Sequence, residues 1–107
     1  MEKIVKQTLL YDFYGELLTE RQRQVYENVV LLDCSLSETA EELSISRQGV
    51  HDMIRRCNAI LEDYESRLHL VERFIDIRKK VQRISTLAEE AGISEITSIC
   101  GEVLEEL

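Results

Sequence analysis

The chain has 107 residues, a length that suits one compact hydrophobic core and not two. With no proline, four glycines, 44% hydrophobic residues and only 6% aromatic ones, it favours continuous helices over short strands joined by turns. A formal charge of −8 argues against indiscriminate binding to a polyanion, and Cys34, Cys57 and Cys100, odd in number and far apart, form neither a disulfide framework nor a metal-binding pair.

These cysteines read as reduced, packed thiols. No apolar run approaches the roughly 18 residues that cross a bilayer, and the start MEKIVKQTLLYDFYGELL is charged throughout rather than shaped like a signal peptide. The expectation is a cytoplasmic protein without membrane contact.

In chain order, Val5, Leu9, Leu10, Phe13, Tyr14 and Leu17 recur at three- and four-residue intervals and predict a first helix over 2–17. Thr19 then precedes Arg21, Gln22 and the apolar set Val25, Tyr26, Val29, Val30 and Leu32, so its hydroxyl caps a second helix ending near Asp33. Ser37 opens SETAEEL and is the expected cap of a short third helix over 37–43, with Glu38, Glu41 and Glu42 on its solvated face. After the turn Ser44-Ile45, Ser46 caps a fourth helix.

Val50, Met53, Ile54, Cys57, Ile60, Leu61, Tyr64, Leu68, Val71 and Ile75 give that helix one apolar face. Phe74, Ile77, Val81, Ile84, Leu87 and Ala91 continue it in a shifted register. A straight helix of about 45 residues would span about 68 Å at 1.5 Å per residue, longer than a domain of this size, so a break is expected between Leu68 and Phe74. Gly92 reads as a helix stop, and Ser94 as the cap of a last acidic helix. The division expected is a helical domain over 1–70, containing a helix-turn-helix at 37–62, and a C-terminal helical extension over 71–107 with an acidic tail.

A helix-turn-helix needs a small residue where its first helix faces the second, apolar residues flanking the turn, and a branched apolar anchor on the second helix. Ala40, Leu43, Ile45 and Val50 occupy those places. A ligand-free helical hairpin needs the same seam, so the outward face is what discriminates. With Val50, Met53, Ile54 and Cys57 inward, that face carries Arg47, Gln48, His51, Asp52, Arg55 and Arg56. Arginine forks onto guanine O6 and N7, glutamine pairs with adenine N6 and N7, and further arginines hold phosphate. The DNA-binding candidates are therefore Arg47, Gln48, His51, Arg55 and Arg56. Against them stands pairing of Arg55 or Arg56 with Asp52 or Glu62 on the helix surface, and Gly49 weakens a helix by about 1 kcal/mol relative to alanine.

The charge is segmental: residues 1–46 carry −5, residues 47–83 carry +3, and residues 84–107 carry −6 with no basic side chain. Counterion release depends on the cations that meet phosphates, within a screening length of about 8 Å, so the local surplus governs.

The stretch LLTERQRQVYENVVLLDCSLSETAEELSISRQGVHDMIRR resembles region 4 of bacterial sigma factors, in which an LT-x-R-Q helix precedes a helix-turn-helix of the form S-x-x-E-I-A-x-x-L-x-I-S-x-x-x-V. DFYGELLT at 12–19, DCSLSETAEELSISRQGVHDMIRR at 33–56 and LEDYESRLHL at 61–70 are more similar still to the YlxM family of Gram-positive bacteria. The resemblance covers about residues 9–75 and implies an all-α fold, a promoter-type helix-turn-helix, and Arg47, Gln48, His51 and Arg55 as the matching recognition-helix positions. It also implies a link to the signal recognition particle operon. The sequence departs from the family pattern at Thr39, where Ile or Val is usual, at Gly49, where Ala is usual, and in VVLLDCSL, which lacks the usual aromatics.

The leading expectation is a non-enzymatic regulator that binds duplex DNA. The alternative is a modulator of signal recognition particle assembly through protein or RNA contacts, favoured by the acidic balance. Catalysis is disfavoured by two histidines, no phosphate-binding glycine loop and carboxylates on solvated faces, and no cofactor or metal is expected. The stripe Phe74, Ile77, Val81, Ile84 and Leu87 predicts a homodimer over a helix folded back on the domain, as suits a reader of two half-sites about 34 Å apart.

Overall fold

Local caps and apolar stripes divide residues 2–107, those described by the computed structural model, into six α-helices without a strand. Helix α1 spans Lys3–Tyr14 and tightens into a 3₁₀ turn over Gly15–Leu17. Helix α2, Glu20–Tyr26, starts from a full capping box: the Gln22 N–H donates to the Thr19 hydroxyl at 3.2 Å, and the Thr19 N–H donates to the Gln22 amide oxygen at 2.9 Å. It widens into a π-helical turn over Glu27–Leu31 before the chain turns at Asp33, whose φ is 55°. The second helix therefore begins and ends where its sequence indicates, with a looser last turn.

Helix α3, Leu36–Leu43, is capped by Ser35 rather than by the expected Ser37: the Glu38 N–H donates to the Ser35 hydroxyl at 3.0 Å. The apolar seam decides the matter. Leu36 packs with Leu43 on the cluster of Val25, Ala40 and Val50, so the helix must already be turning at Leu36, and Ser37 falls in the exposed first turn. At the other end Ser44 is left-handed, φ 56°, and the Ile45 N–H closes back onto the Ala40 carbonyl at 3.0 Å. Helix α4, Arg47–Leu68, is capped by Ser46 as expected, with Gly49 N–H to the Ser46 hydroxyl at 2.9 Å.

A second layer of contacts ties α1 to α4. Asn58 accepts from the Tyr26 hydroxyl at 2.8 Å and from the Gln7 amide at 3.3 Å, and Lys6 pairs with Glu62 at 3.3 Å. Tyr14 donates to Glu65 at 2.6 Å, while Tyr11 stacks on Tyr26 and donates to Glu27. The hydroxyls of the buried Tyr14 and Tyr26 and of the half-buried Tyr11 are thus satisfied within the fold.

Helix α4 stops at Leu68 because His69 is left-handed, φ 57°, inside the interval where the sequence demanded a break. One compact unit ends at His69; the other is Leu70–Leu107. In the second, α5 (Leu70–Ala91) meets α6 (Ser94–Glu106) through a turn at Gly92, φ 72°, with Ala88 and Cys100 buried in the seam. Ser94 is the first helical residue and not the cap: the cap position is Ile93, which offers no side-chain oxygen. No helix among the described residues is long and apolar enough to cross a membrane.

Two stability predictions follow from the buried core. The Thr39 hydroxyl is fully buried without a hydrogen-bond partner, a burden of roughly 1–3 kcal/mol. The isosteric Thr39→Val is expected to raise stability by about 1 kcal/mol in urea unfolding, with an unchanged slope. Burial also pushes the Cys57 thiol up to about 11. Its neutral form is favoured by folding, so this contribution is intact below the ordinary thiol range and falls away as pH rises from about 9 through about 11. Urea titrations at pH 8, 10 and 11 should therefore lose less stability in Cys57→Ala than in the parent chain.

Candidate nucleic-acid interface

Packing of α3 against the start of α4 orients the candidate residues. Val50 has no exposed surface and lies in the cluster with Val25 and Ala40, while Leu36, Leu43, Ile45, Met53 and Ile54 close around it. With Val50 inward, the 100° advance per residue carries Arg47, Gln48, His51 and Arg55 into one arc of about 100° that begins about 60° round from Val50 at Arg47. Asp52 and then Arg56 extend it past the far side of the helix. All six are exposed. From Arg47 to Arg56 the stripe runs about 14 Å along the axis, a length comparable to the roughly 12 Å width of a B-DNA major groove.

Two shallow hollows mark how these side chains group. Leu36, Arg47, Gln48 and His51 line one, and Asp52, Arg55, Arg56 and Ala59 line the other. The structure thus exposes the five sequence-predicted residues within the first three turns of α4, in two neighbouring sets.

The surface pairing that would neutralise the arginines does not form. Glu62 is engaged by Lys6, and Asp52 accepts from the Gln48 amide at 3.0 Å and lies 3.8 Å from His51 Nδ1. Among the described residues, Arg47, Arg55 and Arg56 make no ion pair and no hydrogen bond. Three guanidinium groups therefore stand free along the start of α4, each with five donors. Since a carboxylate only accepts, its contact with Gln48 turns the amide NH₂ toward Asp52 and leaves the carbonyl oxygen and the second N–H available.

One residue that shapes the motif was not singled out from the sequence. Arg21 of α2 donates to the Leu43 carbonyl at 2.7 Å, satisfying an orphan acceptor at the C-terminal end of α3 beside the turn. The available clue was its position: a cation in the first turn of a helix opposes the helix dipole and so suggests a partner elsewhere. Asn28 adds a second tie, donating to Glu42 at 3.0 Å.

Gly49 finds a local explanation. A β-carbon there would lie 3.0 Å from the Ser46 hydroxyl oxygen, the same atom that caps its N–H. That neighbour is the end of a small side chain and can give by a few tenths of an ångström.

Comparison with known proteins agrees with this motif. The UPF0122 family model, described as "Putative helix-turn-helix protein, YlxM / p13 like", matches residues 1–99. A UPF0122 protein of Thermoanaerobacter pseudethanolicus is 43% identical over 104 residues, covering 94% of this chain and 89% of its own length. One from Bacillus thuringiensis is 39% identical over 108 residues, covering 100% and 98%. A third, from Caldanaerobacter subterraneus, reaches 51% over 77 residues, 72% of this chain and 66% of its own.

Gly49→Ala is expected to stabilise the protein by up to about 1 kcal/mol, through helix propensity, whereas Ser46→Ala should cost about 1 kcal/mol through the lost cap. Thermal unfolding of both variants distinguishes a tolerated glycine from a required one: equal losses in the two would mean that the cap demands glycine.

Proposed function

The chain belongs to the UPF0122 family of YlxM/p13-like helix-turn-helix proteins, and on that premise we propose that it is a non-catalytic regulator that binds duplex DNA through the exposed face of α4. The observation that carries this reading is that the guanidinium groups of Arg47, Arg55 and Arg56, within the first three turns of α4, are exposed and unpaired. An arginine face with no ionic partner within the fold has its donors free for phosphate and base edges. In this reading Arg47, Gln48, His51 and Arg55 meet base edges, and Arg56, well beyond the end of the arc, meets backbone phosphate. Asp52 presents Gln48 for adenine, whose N6 and N7 match the free amide oxygen and N–H.

The resemblance to the YlxM family directs the proposal to the genes of the signal recognition particle as the regulated target, in the cytoplasm. A homodimer fits the same reading, because two copies supply two recognition helices to two half-sites. A protein or RNA contact with the particle itself is the competing use of this face; the six carboxylates and absent cations of residues 84–107 favour it by suiting a basic protein partner.

The test is titration of a labelled duplex pool, read by fluorescence anisotropy, with structured RNA as competitor. Arg47→Ala and Arg55→Ala are each expected to weaken duplex binding by about tenfold without unfolding the protein, corresponding to about 1.4 kcal/mol. Arg56→Ala should reduce the slope of log K against log salt by about one. Absence of duplex binding at low salt would remove the DNA reading, and preferential capture of RNA would transfer the face to the competing one.

A further inference from the structure

The unit formed by α5 and α6 is too small for the apolar surface it carries. It has fewer than about 40 residues, a size at which folds usually need a disulfide, a metal or a second copy. Its buried positions are Val71, Ala88 and Cys100, two of them small side chains, and Cys100 is a free thiol. By contrast, Ile77, Ile84, Leu87, Ile96, Ile99 and Leu107 are all large and exposed, Ile84 by 49% and Ile99 by 52%.

These six side chains are not scattered. Relative to the α5 seam of Val81, Ser85 and Ala88, the helical advance of 100° per residue sets Ile77, Ile84 and Leu87 on one flank. Relative to the α6 seam of Thr97, Cys100 and Leu104, it sets Ile96, Ile99 and Leu107 on the flank of the same rotational sense. Two helices joined by the short turn at Gly92 and packed along each other run in opposite directions, and flanks of the same sense on antiparallel helices face the same side of the hairpin. One side of the hairpin therefore carries leucine and isoleucine from both helices, interrupted on α5 by Lys80, which the same rotation sets between Ile84 and Leu87 and which pairs with Asp76 at 2.9 Å. Single exposed apolar residues are ordinary, but six grouped on one side suit association.

We propose that this side of the hairpin receives the same side of a second copy of the chain, closing two hairpins into a four-helix bundle with α5 of one copy against α6 of the other. Charge selects this pairing. From Arg73 to Arg83, α5 carries five basic residues and one acidic, whereas α6 carries four acidic and no basic residues. Setting like helices together would oppose the carboxylates of α6 to those of its own copy; setting α5 against α6 brings the cationic segment beside the anionic helix. A two-fold interface of this kind is self-complementary, each flank serving as both sides of the contact. The surface rests on the two-copy part of the proposed function and is independent of whether α4 binds DNA.

Sedimentation equilibrium of the full chain from about 1 to 100 µM tests it, alone and as Ile84→Ala combined with Ile99→Ala. Alanine raises helix propensity at both positions, so the hairpin retains its helices, as circular dichroism should confirm. The parent chain is expected to be a dimer, and the double variant to dissociate at least tenfold more readily. Leu32→Asp, which alters an exposed leucine of the first unit, should leave the dimer unchanged. A dimer unaffected by the double variant overturns this surface while leaving the two-copy reading intact. A parent chain monomeric at 100 µM overturns both, and neither outcome bears on duplex binding, which is measured separately.

Discussion

The burial of Val50 against Ala40 and Val25 determines which side of α4 meets solvent. In an α-helix the direction of one side chain dictates those of its neighbours, so anchoring Val50 commits Arg47, Gln48, His51 and Arg55 outward without any further specification. The turn before it is held on both sides: Ile45 N–H returns to Ala40, the Ser46 hydroxyl caps Gly49, and Arg21 covers the Leu43 carbonyl. A left-handed serine at 44 is the local cost of this close turn, about 1 kcal/mol or more for a residue without glycine's freedom, and the packed cluster around it offsets that cost.

The helix boundaries readable in the sequence were those written in short-range chemistry. Thr19 with Gln22, Ser46 with Gly49, and Gly92 each need only neighbours within a few residues, and each acts where its pattern indicates. Ser35 was missed in favour of Ser37 because two serines at that spacing are locally equivalent as caps. Only the contact of Leu36 with a core contributed by three helices distinguishes them. The break after α4 was legible as a necessity of length and register, but its residue was not. His69 has no compositional mark as a left-handed position, whereas a glycine there would have announced it. The outward arginines were likewise legible from periodicity, yet their freedom from ion pairs was not: Glu62 is engaged by a lysine fifty-six residues earlier in the chain, a pairing no local pattern contains.

Thr39 illustrates where local and global demands part. A threonine in the seam of α3 is small enough for the close approach of α4, and its methyl packs as well as that of valine, but the hydroxyl meets no acceptor. Isoleucine or valine, usual at this place in the resembling family, would serve the core without that burden. The chain therefore carries a modest excess of instability next to the motif, tolerable because the same seam buries Val25, Ala40 and Val50 almost completely.

The charge distribution bears on how such a face would act on DNA. The whole chain is at −8, and the segment bearing α4 exceeds neutrality by only three charges. With a screening length near 8 Å, the acidic segments before and after it neither abolish nor strengthen contacts made at the arginines themselves, but they suppress the long-range attraction that gives basic proteins a nonspecific grip. Asp52, inside the face, adds local repulsion from phosphate while engaging Gln48. Under the proposed DNA reading, a single copy built this way would be a weak binder whose affinity depends on correct base contacts more than on phosphate number. Linking two such faces raises the effective concentration of the second at its half-site, multiplying a correct first contact and contributing little to an incorrect one. The acidic balance that first argues against a nucleic-acid partner thus becomes consistent with one, provided that affinity comes from paired recognition helices rather than from bulk charge.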